Sequence, residues 1–218
     1  NYICNMELKS PKLQWLNSKT PFSKEYEDRY YSEDNPVEEC KYVYLNSNGL
    51  PKRWITSTEK RFIIAEIGFG LGLNFILSAN SHTDHEINKQ LHYIAFEKSP
   101  PTKKQVDKFF NSYPELQKYS RVLRNKLPKQ ISGCHRIQFS EDITLDLHYG
   151  DVQQEISNFY ASDFKVSAWF VDGFSPKTNP SVWNDLVCRK ISEFSDNGTT
   201  LSSYSAAGSF RRSLKTNG

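Results

Sequence analysis

Glu66-Ile-Gly-Phe-Gly-Leu-Gly-Leu-Asn74 decides the fold of this 218-residue chain. The stretch follows Phe62-Ile-Ile-Ala-Glu-Ile67, a run of apolar residues broken by a single acid. Such a run fits a strand buried on both faces, as in a parallel sheet. Behind it comes Phe75-Ile-Leu77, the start of an apolar helical pattern. A loop with glycines at every second position between a strand and a helix lets the backbone turn sharply. A side chain at Gly68, Gly70 or Gly72 is expected to intrude on a ligand held there, so the loop reads as a cradle for a cofactor.

Working outward, further strands are expected at Leu91–Glu97, Ile143–Tyr149, Val166–Asp172 and Thr199–Ser205, with helical patterns between them. This alternation predicts an α/β fold: a mostly parallel sheet with helices on both faces. Pro101–Lys129 is a Lys-rich insertion after the second core strand. Val106, Phe109 and Phe110, then Leu116, Tyr119, Leu123 and Leu127, recur there at helical spacing and predict two helices. Residues 1–60 mix aromatics with charges. Alternation in Lys41-Tyr-Val-Tyr-Leu45 before the turn signal Asn46-Ser-Asn-Gly49 predicts a small β-rich extension packed on a core of residues 61–218.

Composition narrows the class. Charged residues make up 24% and hydrophobic residues 37%, and no apolar run reaches the roughly 18 residues of a spanning helix, so the expectation is a cytoplasmic globular protein. The four cysteines, Cys4, Cys40, Cys134 and Cys188, are far apart and form no C-x-x-C pair, which predicts reduced structural thiols. His82 and His85 are three residues apart, but they sit in Ser78-Ala-Asn-Ser-His-Thr-Asp-His85, which reads as a solvated loop; no metal site is expected. A net charge of +3 is compatible with a nucleic-acid partner without requiring one.

A dinucleotide fingerprint, G-x-G-x-x-G, would need glycine at Leu73 or Phe75, so a nicotinamide or flavin oxidoreductase is disfavoured. The spacing G-x-G-x-G with Glu66 two residues ahead resembles instead the first motif of class I (Rossmann-like) methyltransferases. That resemblance implies S-adenosylmethionine on Gly68, Phe69, Gly70, Gly72 and Asn74, with Glu66 facing the cationic amino-acid moiety. Glu97, with Lys98 beside it, ends the next strand, where an acid can accept both ribose hydroxyls. Asp151 and Val152 end the one after. In that class an acid here takes the adenine amino group while its apolar neighbour packs on the ring; an N-cap role for Asp151 is compatible with this. Asp172 closes a central strand and heads Asp172-Gly-Phe-Ser-Pro-Lys-Thr-Asn-Pro180, the place where an α/β sheet presents its chemistry.

These motifs occur together with Pro114-Glu-Leu116, Gly133-Cys-His-Arg136, Trp183 and Ser205-Ala-Ala-Gly-Ser-Phe-Arg-Arg212. Upstream lie Tyr30-Tyr-Ser32, Tyr42-Val-Tyr44 and Leu50-Pro-Lys-Arg-Trp54. In order and spacing the set resembles the methyltransferase domain of the MnmC family over nearly the whole chain. The resemblance implies N-methylation of 5-aminomethyl-2-thiouridine at the wobble position of tRNA. Asp172 would hold the amine and the carbonyls near Phe174 and Pro176 would assist; Asp172 would also border the cofactor. Lys52, Arg53, Lys177, Arg211 and Arg212, with Lys98, Lys103, Lys104 and Lys215, are candidate contacts to the anticodon loop, and Phe174 or Trp183 a candidate stacking platform, although Trp183 taken by itself reads as core rather than platform. The family's bifunctional form adds a flavin (FAD)-dependent oxidase domain, expected here as a continuation after Gly218. The closing β-hairpin usual in this class is likewise expected beyond Arg211–Lys215, which would leave the strand 199–205 at an exposed edge. Another amine acceptor, or a non-catalytic RNA-binding module, is the alternative reading.

Overall fold

The structure, a computed structural model, describes residues 6–159, 164–175, 177–205 and 208–217. Three short strands come first, β1 (Leu13–Leu16), β2 (Thr20–Ser23) and β3 (Asp28–Arg29), paired antiparallel in the order β1-β2-β3. Helix α1 (Pro36–Cys40) follows, begun by the Asn35 side chain, which accepts from the Glu38 amide at 3.2 Å, and by proline at its first position. The chain then stays helical where a strand was expected. Lys41–Leu45 is a π-helical turn and Asn46–Asn48 a 3₁₀ turn, ended by Gly49 at φ 67° before helix α2 (Lys52–Thr56). Tyr44 and Leu45 are buried and Tyr42 is exposed, the pattern of a helical turn with one face on the core.

The main body alternates as predicted: β4 (Arg61–Ile67), α3 (Leu73–Asp84), β5 (Gln90–Glu97), α4 (Lys103–Phe110) and α5 (Gln117–Lys126). It continues with β6 (Gly133–Gln138), β7 (Ile143–Tyr149), α6 (Val152–Ser157), β8 (Ala168–Val171), α7 (Asp185–Glu193), β9 (Thr200–Ser203) and α8 (Gly208–Asn217). The six-stranded sheet has the order β6-β7-β5-β4-β8-β9, and all its neighbours are parallel except β6, which runs antiparallel to β7. β6 was not foreseen, whereas the two helices of the insertion were. The segment 211–215, after which a closing hairpin was expected, lies in α8, and β9 ends the sheet with the Asn48 amide donating to Ser202 Oγ at 2.7 Å.

β4 shows why two layers of helix are needed. Phe62 and Ile64 point into one core, with Phe75, Val106, Phe109, Leu123 and Leu145. Ile63, Ala65 and Ile67 point into the other, with Val152, Ile156, Val187, Phe194 and Phe210. Each alternate side chain thus leaves water on a different face, so the strand is apolar throughout. After β4 the chain builds outward through β5 and β7, then returns to lay β8 on the other side of β4. At such a reversal of strand order the connections diverge and leave a crevice outside the carboxyl ends of the strands.

His82 departs from the solvated-loop expectation. It lies in the last turn of α3, 4% exposed, with Nε2 2.9 Å from the Lys89 carbonyl and its ring edge-on to Trp54. Packing against Trp54 draws this polar segment into the fold. Among the described residues Cys40, Cys134 and Cys188 are free thiols, no group of side chains is arranged to hold a metal, and no helix is long and apolar enough to cross a membrane.

Candidate active site

The carboxyl ends of β4, β5 and β8 open into a cavity of about 780 Å³. That is within the range of pockets that enclose a nucleoside-sized ligand. Gly68, Gly70, Glu97, Lys98, Asp151, Val152, Asp172 and Phe174 all border it. These residues are dispersed over more than a hundred positions of sequence, and the crevice between β4 and β8 brings them together.

The glycine loop is tied down from both sides, and the reason for its glycines differs from the one expected. A Cβ on Gly68 would stand 1.6 Å from the Asp172 carbonyl oxygen. Gly68, at φ 95°, is therefore what allows the loop after β4 to cross the end of β8. A Cβ on Gly70 would meet the Tyr30 ring at 3.2 Å and the Tyr31 hydroxyl at 3.3 Å. The space at both glycines is taken by the protein itself, and the cavity lies beside the loop. The Tyr31 hydroxyl accepts from the Leu71 amide at 3.2 Å, which pins the N-terminal segment over the loop.

Glu97 meets the loop directly. Its Oε2 accepts from the Gly70 amide at 2.8 Å and its Oε1 from the Ser99 amide at 2.7 Å. Burial pushes its carboxyl up to about 7, against these amides, which favour the charged form. Asp151 is both the N-cap of α6, accepting from the Gln153 amide at 3.0 Å, and the partner of Lys98 at 3.6 Å.

Glu66, Phe69, Gly72 and Asn74 lie beneath the cavity and do not border it. Glu66 is 0% exposed, and its Oε1 accepts from the Asn74 amide at 2.8 Å. The same amide nitrogen donates to Asp172 Oδ2 at 2.8 Å, so Asn74 bridges two carboxyl groups. Burial, and then the charge of Asp172, push the Glu66 carboxyl well above the usual range. Asp172 itself is pushed up to about 6 by burial, against the Tyr44 hydroxyl and the Asn74 amide, which favour its charged form. A perturbed acid at a strand end, anchored from below and open to a cavity above, has the marks of a reactive group. Phe69 packs under the loop against Phe75, where a Cβ on Gly72 would strike it at 2.8 Å.

Phe174 borders the cavity, stacked on Tyr26 with centroids 4.6 Å apart and with Tyr30 edge-on at 5.0 Å. Its carbonyl accepts from the Trp183 indole at 2.9 Å. Trp183 is 8% exposed and edge-on to Phe210, so it holds the loop after β8 from inside and is no stacking platform. Pro176 lies outside the described residues. Lys177 is exposed on the same loop, while Arg211 and Arg212 are exposed on α8. Lys52 and Arg53 sit at the opposite, amino-terminal edge of the sheet. Arg53 is engaged there by the carbonyls of Asn48 (3.0 Å), Ser167 (3.0 Å) and Gly198 (2.6 Å).

Sequence reasoning missed Tyr26, Tyr30, Tyr31, Glu39, Cys40 and Tyr44, which form the wall facing the glycine loop. The pair Tyr30-Tyr31 stands out in the sequence only through the family resemblance; nothing local says that it folds back over residue 70.

Over residues 114–218 the chain matches the S-adenosyl-L-methionine-dependent methyltransferase family. It is 37% identical, over 93% of its length, to the tRNA 5-methylaminomethyl-2-thiouridine biosynthesis bifunctional protein MnmC of Aliivibrio fischeri. The protein of the same name from a Marinomonas species is also 37% identical, over 98% of the chain. The chain spans about a third of the length of these relatives, 31% and 32% respectively. Among solved structures, that of MnmC2 from Aquifex aeolicus superposes with a TM-score of 0.75 at 24% identity, covering 98% of this chain and 66% of that one. This last likeness is one of fold: a Rossmann-like α/β architecture.

Proposed function

We propose that this chain, whose residues 114–218 match the S-adenosyl-L-methionine-dependent methyltransferase family, methylates the aminomethyl nitrogen of 5-aminomethyl-2-thiouridine at the wobble position of tRNA, giving 5-methylaminomethyl-2-thiouridine. The observation that carries the reading is the placement of Asp172. It ends β8 at the bottom of the cavity that Gly68, Gly70 and Glu97 border, with its carboxyl fixed by Asn74. Relatives whose name specifies this tRNA modification match the chain over nearly its whole length.

The residues fit the cofactor. In this reading Gly68 and Gly70 edge the cofactor's cavity, Glu97 accepts the ribose hydroxyls, and Asp151 with Val152 takes the adenine; their common position on the cavity wall supports it. When bound, S-adenosylmethionine supplies an electrophilic methyl group on a sulfonium. Glu66 acts from below: it does not border the cavity, and it supports Asp172 through Asn74.

Asp172 has two tasks. A primary alkylamine arrives protonated at neutral pH, and a carboxylate at the closed end of the cavity attracts it and fixes its nitrogen. The nitrogen must then lose a proton to expose its lone pair, and a carboxylate with an affinity near pH 6 accepts it or passes it to water. Phe174, braced by Tyr26, offers its ring to the uracil. Tyr30 and Tyr31 close the glycine loop against water.

The test is to supply tRNA bearing 5-aminomethyl-2-thiouridine with methyl-labelled S-adenosylmethionine and digest the product to nucleosides. Label in 5-methylaminomethyl-2-thiouridine is expected. Label in a small amine but none in the tRNA would favour a methyltransferase for another acceptor.

A further inference from the structure

Charge is divided unevenly along this chain. Residues 101–129 carry eight lysines and arginines against two acids, Asp107 and Glu115, a net charge of +6. The whole chain carries +3, so the remaining residues together carry −3. The cavity is part of that acidic remainder: Glu39, Glu97, Asp151 and Asp172 all border it. A polyanion docked on this protein is repelled by the cavity surroundings and needs its positive partner elsewhere.

The structure packs the positive segment against the wall of the cavity. Helix α4 starts six residues after Glu97, and its Phe109 stacks on Tyr31, a cavity residue, with centroids 4.8 Å apart. Leu123 of α5 packs against Gly72 of the glycine loop, where a Cβ would meet it at 2.8 Å. Arg124 of α5 pairs with Asp107 of α4 at 3.0 Å, and Lys103 of α4 donates to the Asn125 carbonyl at 3.2 Å. The two helices therefore form one unit. It turns Val106, Phe109, Phe110, Tyr119 and Leu123 inward and leaves Lys103, Lys104, Lys108, Lys118 and Arg121 exposed. The Arg124–Asp107 pair is neutral as a unit, which leaves Glu115 as the one acid of the segment outside it.

We propose that the exposed face of α4 and α5 is the docking surface for the sugar-phosphate backbone of the tRNA, and that it holds the anticodon arm while the wobble nucleotide enters the cavity. This rests on the tRNA reading above. Backbone contacts carry affinity without sequence readout, which suits an enzyme whose selectivity resides in one modified base. An anticodon loop that inserts one nucleotide into an acidic cavity must leave its flanking phosphates outside it, and α4 and α5, packed against the cavity wall and the glycine loop through Phe109 and Leu123, carry a local excess of positive charge for them. The amino-terminal edge of the sheet, where Lys52, Lys60 and Lys165 are exposed, faces away from the cavity and takes no part.

Two triple variants of the chain separate local from overall charge. Lys104→Glu/Lys118→Glu/Arg121→Glu reverses the proposed surface; Lys52→Glu/Lys60→Glu/Lys165→Glu makes the same change in net charge at the far edge. For the first, the KM for tRNA is expected to rise roughly tenfold or more, and the slope of log affinity against log salt to fall by about 3, one for each phosphate no longer neutralised. Its kcat and its affinity for S-adenosylhomocysteine, read by calorimetry, are expected to hold. The far-edge variant is expected to keep both tRNA parameters within about twofold of the unaltered chain. Glutamine at 104, 118 and 121 gives an intermediate loss and guards against misfolding of the reversed variant. An unchanged tRNA KM in the first variant, or an equal loss in the second, overturns the docking surface and leaves the tRNA reading intact. Failure of the unaltered chain to methylate tRNA at all overturns both.

Discussion

The two ends of the six-stranded sheet treat charge in opposite ways. At the amino-terminal end, Arg53 donates to the carbonyls of Asn48, Ser167 and Gly198, and Lys89 Nζ donates to those of Trp54 (2.7 Å) and Ile55 (3.1 Å). These bonds are all to backbone carbonyls at turns and element ends, which need donor partners there. At the carboxyl-terminal end three acids are gathered, two of them in one buried network. Glu66 and Asp172 share the Asn74 amide, and Glu97 holds the Gly70 amide. All three carboxyls are raised, chiefly by burial. One end uses charge to stabilise the fold; the other carries charge at a cost to stability, as folds do where chemistry takes place.

That contrast is most exposed to failure at Asp172. Asp172→Asn preserves an acceptor for Asn74 but removes the negative charge, and methyl transfer is expected to fall by about 10²–10⁴-fold. Cofactor affinity and fold are expected to survive. In the unaltered chain the rate is expected to rise with pH through about 6, as Asp172 loses its proton. A single-turnover pH profile checks both, and a profile with no inflection there removes the carboxylate from the reaction.

Gly68→Ala comes next. Its Cβ would lie 1.6 Å from the Asp172 carbonyl, at a φ that disfavours side chains, so loop and strand end must part. A loss of roughly 3 kcal/mol or more in denaturant unfolding is expected. Cofactor binding should fail with it. Full stability would mean that the crossing of β4 and β8 has room to spare. For Glu97→Ala the expected loss is in cofactor affinity, about 1.5 to 3 kcal/mol by calorimetry. No change would take Glu97 out of the proposed ribose role.

The smallest effect is on the pH dependence of stability. Asp172 and Glu97 bind protons more tightly folded, at about 6 and about 7, than their ordinary values of 3.8 and 4.5. The native state therefore holds more protons than the unfolded chain in this interval, and stability should decline as pH rises from about 4 to about 7. Asp172→Asn should flatten the lower part of that decline in unfolding experiments at a series of pH values. A stability that climbs over this interval would contradict the raised carboxyls.

How much of this could be read beforehand depended on whether the signal was local. The loop Gly68–Gly72 and the acids at the ends of β5, β7 and β8 were legible because positive φ and strand ends restrict residue type within a few positions. β6 was not, because Gly133-Cys-His-Arg-Ile-Gln138 lies antiparallel at the sheet edge with one half-wet face and so lacks the apolar run of a central strand. Lys41–Leu45 was misread because alternating aromatics also suit a helical turn with Tyr44 and Leu45 inward and Tyr42 outward. Arg53 looked like a phosphate contact only because its acceptors, at residues 48, 167, 198 and 200, are remote in sequence. The support of Asp172 by Glu66 through Asn74 needs three elements at once, and no window of sequence contains it.

The most direct test sets the two ends against each other in one experiment, measuring denaturant stability and methyl transfer per folded molecule for Asp172→Asn and Arg53→Met. Arg53→Met strands several backbone acceptors, so it should lose roughly 1–3 kcal/mol of stability while the folded fraction methylates normally. Asp172→Asn should be at least as stable as the unaltered chain at pH 7.5, since a buried charge is gone, and nearly inactive. If Asp172→Asn loses stability and activity together while Arg53→Met abolishes transfer in folded protein, the division of the sheet into a structural and a reactive end is wrong.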